Sequence, residues 1–168
     1  MSPRIRRLGA ADAEAWRALR LEGLLVHPEA FGADHAEEAA RPLSFFRDRL
    51  TGNPVWGAET GDGLAGTVGL LLRSGAKQRH KATLWGMYVR PGHRGTGVAE
   101  ALVTALLDHA AGLVEVVQLA VAAGNRPACR FYERLGFRLY GVERHALLVG
   151  GTYHDEELRA RFLRPAGD

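Results

Sequence analysis

The sequence predicts a single α+β domain over residues 1–168, built on one mixed, mostly antiparallel twisted sheet of about seven strands flanked by about four helices. Three observations lead there. Two glycine-centred hairpin signals, Gly61-Asp62-Gly63 and Val149-Gly150-Gly151-Thr152, each join strand-like runs. An apolar run over 84–89 feeds a glycine-rich turn and then an amphipathic helix. The length of 168 residues, 46% apolar and 24% charged, suits one globular unit with a real core.

In chain order, residues 4–8 read as a short strand, and Asp12 is placed to cap a helix with Ala15, Trp16, Leu19 and Gly23 on one face, ending near His27-Pro28. Residues 29–41 are rich in alanine and acids without a clean period. Pro42 starts a second helix that turns Leu43, Phe46 and Leu50 inward before Gly52. Strands over 55–60 and 64–72 flank the first hairpin, whose glycines supply positive φ. A polar, basic loop over 74–81 leads to a strand over 82–90, ended by Pro91-Gly92. The next helix recurs on Val98, Ala101, Leu102, Ala105, Leu106 and His109 and ends near Ala111. Residues 116–122 form a buried strand, Pro127 opens a short helix, and Leu135-Gly136 closes it before a strand starts at Phe137. After the second hairpin, Leu158, Ala160 and Phe162 alternate inward on the last strand. The order is β-α-α-β-β-β-α-β-α-β-β, with no linker and no repeat.

The junction Arg94-Gly95-Thr96-Gly97-Val98-Ala99 carries the clearest chemistry. The first turn of a helix leaves backbone N–H groups without partners, and two glycines there let another molecule approach the main chain. Those donors and the helix dipole suit a phosphate. Arg94 adds a permanent charge and a planar fork of donors. A P-loop needs Gly-Lys-Ser/Thr and a dinucleotide fingerprint needs a third glycine two residues on; Val98, Ala99 and Glu100 supply neither. A pyrophosphate is the natural guest, with a plain glycine-rich turn as the alternative.

A second constellation follows: Asn125, then Ala128, then the pair Phe131-Tyr132, then Gly136-Phe137. Together the two resemble the motifs of the GNAT superfamily of N-acetyltransferases. Arg94, Gly97 and Ala99 match its acyl-CoA motif of Arg or Gln, two residues, Gly, one residue, Gly or Ala. The resemblance covers 64–162 well, while the first third matches only as two helices before a hairpin. It implies acetyl-CoA as co-substrate, held by Arg94, Gly95, Thr96, Gly97, Val98 and Ala99 at the pyrophosphate. The pantetheine arm would run along the backbone of Met87, Tyr88 and Val89, between two splayed strands, with an N–H near Val89 facing the thioester oxygen. The side chains of Trp85, Met87 and Tyr88 read as core packing. Asn125 and Ala128 would border pantetheine, although Asn125 reads almost equally well as a helix cap. Tyr132 stands where the family places the tyrosine that protonates the departing sulfur, and a phenol with an ordinary pKa of about 10 keeps its proton at neutral pH. Cys129, one turn earlier, reads as a small buried hydrophobe or a group near the thiol end. Dimerisation is common in the family, so a homodimer is compatible with the resemblance.

The general base is not legible. Some family members carry an acid on the strand before the phosphate turn, where this chain has Thr83-Leu84-Trp85-Gly86-Met87-Tyr88. His80, His154, Asp155 and Glu156 are the candidates near the acceptor, and an ordered water chain is another.

The formal charge of +3 and pI of about 9.4 do not point to nucleic acid, because the arginines are scattered and form no block. Arg90, Arg94, Arg126 and Arg130 could instead steer an anionic cofactor. The sequence has no membrane-length apolar run and no signal-peptide pattern, which predicts a cytoplasmic protein. A single cysteine and no His-x-x-x-His spacing predict no metal. The expected acceptor is the primary amine of a small molecule; Glu29, Asp34, Glu37 and Glu38 could draw it, although a solvated helix face is the simpler reading of those acids. A protein N-terminus or lysine, or a non-catalytic acyl-CoA sensor, are the alternatives.

Overall fold

The computed structural model describes residues 2–163 and contains a seven-stranded sheet in the order β1-β2-β3-β4-β5-β7-β6. The strands are β1 (Arg4–Arg7), β2 (Val55–Thr60), β3 (Gly63–Leu72), β4 (Lys81–Val89), β5 (Val116–Ala122), β6 (Arg138–Val149) and β7 (Thr152–Phe162). The helices are α1 (Ala13–Val26), α2 (His35–Ala39), α3 (Leu43–Gly52), α4 (Val98–Ala110) and α5 (Arg126–Arg134). All pairings are antiparallel except β4 with β5. Among the described residues no helix is long and apolar enough to cross a membrane.

The sheet separates two cores. On one face α1 and α3 bury Trp16, Leu19, Phe46 and Leu50 against Val55, Leu64 and Tyr88. On the other, α4 and α5 pack Leu102, Leu106, Cys129 and Tyr132 against Val68, Leu70, Leu84 and Leu119. α1 sits so close to the sheet that a Cβ on Gly23 would lie 3.0 Å from the Tyr88 ring.

Several local expectations change. α2 is an additional helix within 29–41, and its only buried residue is an acid, Glu38, so it offers no apolar period. Asp12 stands at the N-terminus of α1, yet its carboxylate accepts from Gly9 N at 2.8 Å and pairs with Arg6 instead of capping. Pro42 precedes α3 as its N-cap and is not its first residue. In the first hairpin only Gly63 has positive φ, at 102°. α4 buries Val98, Leu102 and Leu106 as expected and Val103, Leu107 and Ala110 besides, while Ala101 and His109 are exposed. On β7, Phe162 is 67% exposed, and the buried positions include Glu157 and Arg159, which satisfy each other beneath α5.

The feature that positions a site is the divergence of β4 from β5. They pair only through Lys81↔Val116, Ala82↔Val117 and Thr83↔Gln118. Beyond that β4 follows β3 to Val89 while β5 follows β7 to Ala122. A bulge aids the parting: β3 advances from Thr67 to Gly69 while β4 takes one more step, from Tyr88 back to Trp85. Gly86, inside the bulge, has φ of 65°, which a residue with a Cβ adopts only under strain.

Candidate active site

Past Thr83 the edge of β4 that faces β5 has no strand partner, so the backbone there opens into a cleft. At the far end of β4, Pro91–His93 forms a short 3₁₀ turn and Gly95 and Gly97 take φ of 70° and 87°. Thr96 Oγ1 donates to His93 O at 2.6 Å and fixes the loop. Among the described residues, the backbone N–H groups from Gly95 to Glu100 find no protein acceptor; the helix ladder starts with Ala101 N to Gly97 O. A Cβ at Gly95 or Gly97 would meet nothing within 4 Å, so the space above this row of donors is open. Row, dipole and open approach together make an anion seat.

Arg94 also has a structural part in the turn. Its Nε donates to Val89 O at 3.0 Å, and its Nη2 lies 2.9 Å from His27 Nε2. A guanidinium only donates, so His27 accepts at Nε2 and carries its proton on Nδ1, which faces Glu29 at 3.9 Å. Arg94 thereby ties the end of β4, the glycine turn and α1 together. Arg90 similarly pairs with Glu22 on α1 at 2.9 Å, and Glu22 also accepts from the Tyr88 hydroxyl.

On the other side of the cleft, Asn125 Oδ1 accepts from Ala128 N at 3.3 Å, which makes it the helix cap of α5; its NH₂ has no protein partner among the described residues. Cys129 is fully buried with Sγ 3.6 Å from Ala122 O, and burial first, then Glu157, pushes its thiol pKa up. It is a core residue that stays a thiol. Tyr132 is buried between Phe131 and Phe137, and burial raises its phenol far above the ordinary value. Its hydroxyl makes no hydrogen bond to protein among the described residues, which leaves its O–H free to donate.

Where β4 and β5 part, on the α1 and α3 side of the sheet, lies a cavity of about 470 Å³. Its walls are Ala30 to Ala33, Leu71, Thr83 to Gly86 and Ala120, with Arg20, Arg49, Asn53 and Glu156 as the polar groups. Glu156 stands opposite Ala122 on β5 and Glu143 on β6, and burial first, then Glu143, raises its carboxyl pKa. Arg20 and Arg49 lie over the Trp85 indole at 5.1 and 5.4 Å from its ring centroid. Both bond to Glu38.

Of the four acceptor-side candidates, only Glu156 lines this cavity. His80 sits at the paired end of β4 and β5, where its carbonyl accepts from Glu115 and Val116, and it borders a separate recess with Leu113. Asp155 is engaged by Arg144 at 3.0 Å and by His145 N at 2.8 Å, and His154 lies opposite Leu147. The acidic face expected to draw a cationic amine does not form at the cavity. Glu38 is 5% exposed and neutralised by arginines, Asp34 caps α2, and Glu37 points to solvent.

Arg20, Arg49 and Phe31 were not legible as site residues. Arg20 did leave a signal: it falls on the apolar stripe of α1 beside Trp16 and Leu19, where an arginine needs a buried partner.

The acetyltransferase (GNAT) family profile matches residues 15–137. The chain is 35% identical over 136 residues to the mycothiol acetyltransferase of Thermomonospora curvata, covering 79% of this chain and 42% of that protein. It is 34% identical over 110 residues to N-acetyltransferase 8 of Rattus norvegicus, covering 64% of this chain and 48% of that one. The chain thus spans about half the length of the curated relatives it matches. Its fold follows that of yncA from Salmonella typhimurium, solved with its cofactor acetyl-CoA, at a TM-score of 0.81 and 22% identity over 100% of this chain and 98% of that chain. The matched span holds the parting strands, the glycine turn and Tyr132, and on that ground this chain belongs to the acetyltransferase (GNAT) family.

Proposed function

We propose that the protein moves an acetyl group from acetyl-CoA to the primary amine of a small molecule by direct attack in a ternary complex, with Tyr132 as general acid and Glu156 as general base. The observation that carries this reading is the parting of β4 and β5 past Thr83, with an anion-binding turn at one end and a cavity holding Glu156 at the other.

The residues present fit acetyl-CoA. The free N–H groups of Gly95, Thr96, Gly97, Val98 and Ala99 suit a pyrophosphate, and the open space over both glycines admits it. The backbone of Met87, Tyr88 and Val89 and the free amide of Asn125 suit the pantetheine amides, beside Ala128. Acetyl-CoA supplies the activated acyl group; the chain's residues do the rest.

Glu156 accepts the proton that the amine loses as its nitrogen bonds to the acetyl carbon. Its raised pKa brings its proton affinity closer to neutral, where a base is most effective. A main-chain N–H near Val89, on the edge of β4 that has no strand partner, steadies the negative charge gathering on the acetyl oxygen. Tyr132 gives its proton to the sulfur as the carbon–sulfur bond breaks, leaving an N-acetylated amine and the free thiol. The cavity volume of about 470 Å³ lies within the ~300–1,000 Å³ of small-molecule sites, which favours a small acceptor over an open peptide groove.

Amine-dependent thiol release in wild type and Tyr132→Phe tests the reading. The variant should bind acetyl-CoA as wild type does and release thiol roughly a hundredfold more slowly. Binding of acetyl-CoA without release to any amine, in wild type, would replace the transferase by a sensor.

A further inference from the structure

We propose that the acceptor is an amine that also carries a carboxylate and an apolar body, an amino-acid-like zwitterion whose acid is seated by Arg49 and Arg20 and whose amine faces Glu156. This rests on the transferase reading above.

The charges at the α1–α3 wall of the cavity do not balance among themselves. Arg20 meets Glu38 in a two-pronged pair, Nε to Oε2 at 2.7 Å and Nη2 to Oε1 at 2.8 Å. Arg49 Nη1 reaches the same Oε1 at 3.1 Å. One carboxylate, itself nearly sealed from solvent, therefore serves two guanidiniums. Arg49 keeps 35% of its side chain exposed, and it lines the cavity. Burial lowers its pKa, Glu38 opposes that, and Arg20 and Arg41 add to the lowering, as expected for a cation short of counter-charge. Arg20 Nη1 takes no protein acceptor among the described residues and lies 3.4 Å from where a Cβ on Gly86 would stand, beside the bulge.

The other carboxylate of the cavity does not close this gap. Glu156 comes from β7 and makes no ion pair with either arginine. The cavity is therefore positive at its α1–α3 wall and acidic at its β7 wall, the arrangement that a carboxylate and an ammonium on one small molecule would satisfy. Both guanidiniums lie over the Trp85 ring, and Arg20 Nη1 with Arg49 Nε and Nη2, which Glu38 does not engage, remain to donate to a carboxylate. Phe31, Leu71, Leu84 and Ala120 supply apolar wall for the rest of the molecule.

The test is thiol release from acetyl-CoA with leucine, methionine and phenylalanine as free acids, each beside its amide and its decarboxylated amine, using wild type, Arg49→Gln and Arg49→Lys. At least one acid should exceed its two counterparts that lack the carboxylate by at least about tenfold in kcat/KM, mainly through KM. Arg49→Gln should abolish most of that preference and Arg49→Lys should keep part of it. A melting rise with acetyl-CoA in both variants shows that they remain folded. Equal or better use of the amides or decarboxylated amines, or a preference unmoved by Arg49→Gln, would overturn the proposal while leaving the transferase intact. If acetyl-CoA binds and no amine is turned over, calorimetry of the same acids against the CoA complex decides: no heat from any acid also overturns it. Failure to bind acetyl-CoA at all would remove the transferase reading and the acid seat with it.

Discussion

Arg94 donates from Nε to the carbonyl of Val89 at 3.0 Å, so the arginine that opens the glycine turn holds the last residue of β4 in place. It thereby braces strand and turn. Arg94→Ala should weaken acetyl-CoA binding about tenfold by calorimetry, the scale of one lost charge-assisted hydrogen bond. Arg94→Lys should recover little, because an ammonium cannot bridge Val89 and His27 together.

Removing the Tyr132 hydroxyl separates chemistry from packing. The hydroxyl has no protein partner among the described residues and is not sealed from solvent, so Tyr132→Phe should change stability by no more than about 1 kcal/mol in denaturant unfolding. The same variant should lose most of its turnover. A loss of stability of several kcal/mol would show that the hydroxyl is structural.

Glu156 makes the opposite trade. Its folded pKa is raised by burial, so the folded protein holds this proton over a pH range where the unfolded chain has released it. Stability from this group is therefore lost as pH rises from the unfolded value through the folded one. Glu156→Gln should melt at or above wild type at neutral pH, with the gap narrowing below the ordinary glutamate range. Activity should fall by about two orders of magnitude or more, and the acidic limb of the kcat/KM profile should vanish.

The Glu157–Arg159 pair is structural, with Arg159 Nη2 at 2.7 Å from Glu157 and Nη1 donating to Phe137 O at 3.0 Å. Arg159→Met leaves a nearly buried carboxylate with only Arg126 and should cost about 3 kcal/mol in urea unfolding. Glu157 is held below the usual carboxylate range by its arginines against burial, so its contribution is present above the ordinary glutamate pKa and lost as pH falls through the depressed one. The variant should accordingly approach wild type in acid.

The order of elements along the chain and the glycine turn were legible because each rests on local rules: hairpin glycines, an apolar run, a helix start. What stayed hidden depends on partners distant in sequence. α2 is five residues long and buries only Glu38, whose reason for being inside is Arg20, 18 residues away. The alternation of β7 misleads because Glu157 and Arg159 occupy inward positions by satisfying each other, while Phe162 ends the strand in solvent. On α4 the expected Val98, Leu102 and Leu106 are buried, and the misreading is confined to Ala101 and His109, which at helical spacing stand in for Val103, Leu107 and Ala110. Glu156 was one of four candidates in sequence, and only the parting of β4 from β5 distinguishes it.

The most direct measurement is thermal unfolding with and without acetyl-CoA, for wild type and Gly97→Glu. Gly97 has φ of 87°, so the variant is strained in itself and the ligand-induced rise, not the absolute Tm, is the readout. At a hundred times Kd the ligand should add about 2.7 kcal/mol to wild type, a rise of several degrees for a domain of this size. The account predicts that rise in wild type and its loss in the variant, where a carboxylate stands over the anion seat. No rise in wild type, or the same rise in both, would contradict the assignment of residues 94–99 as the cofactor site.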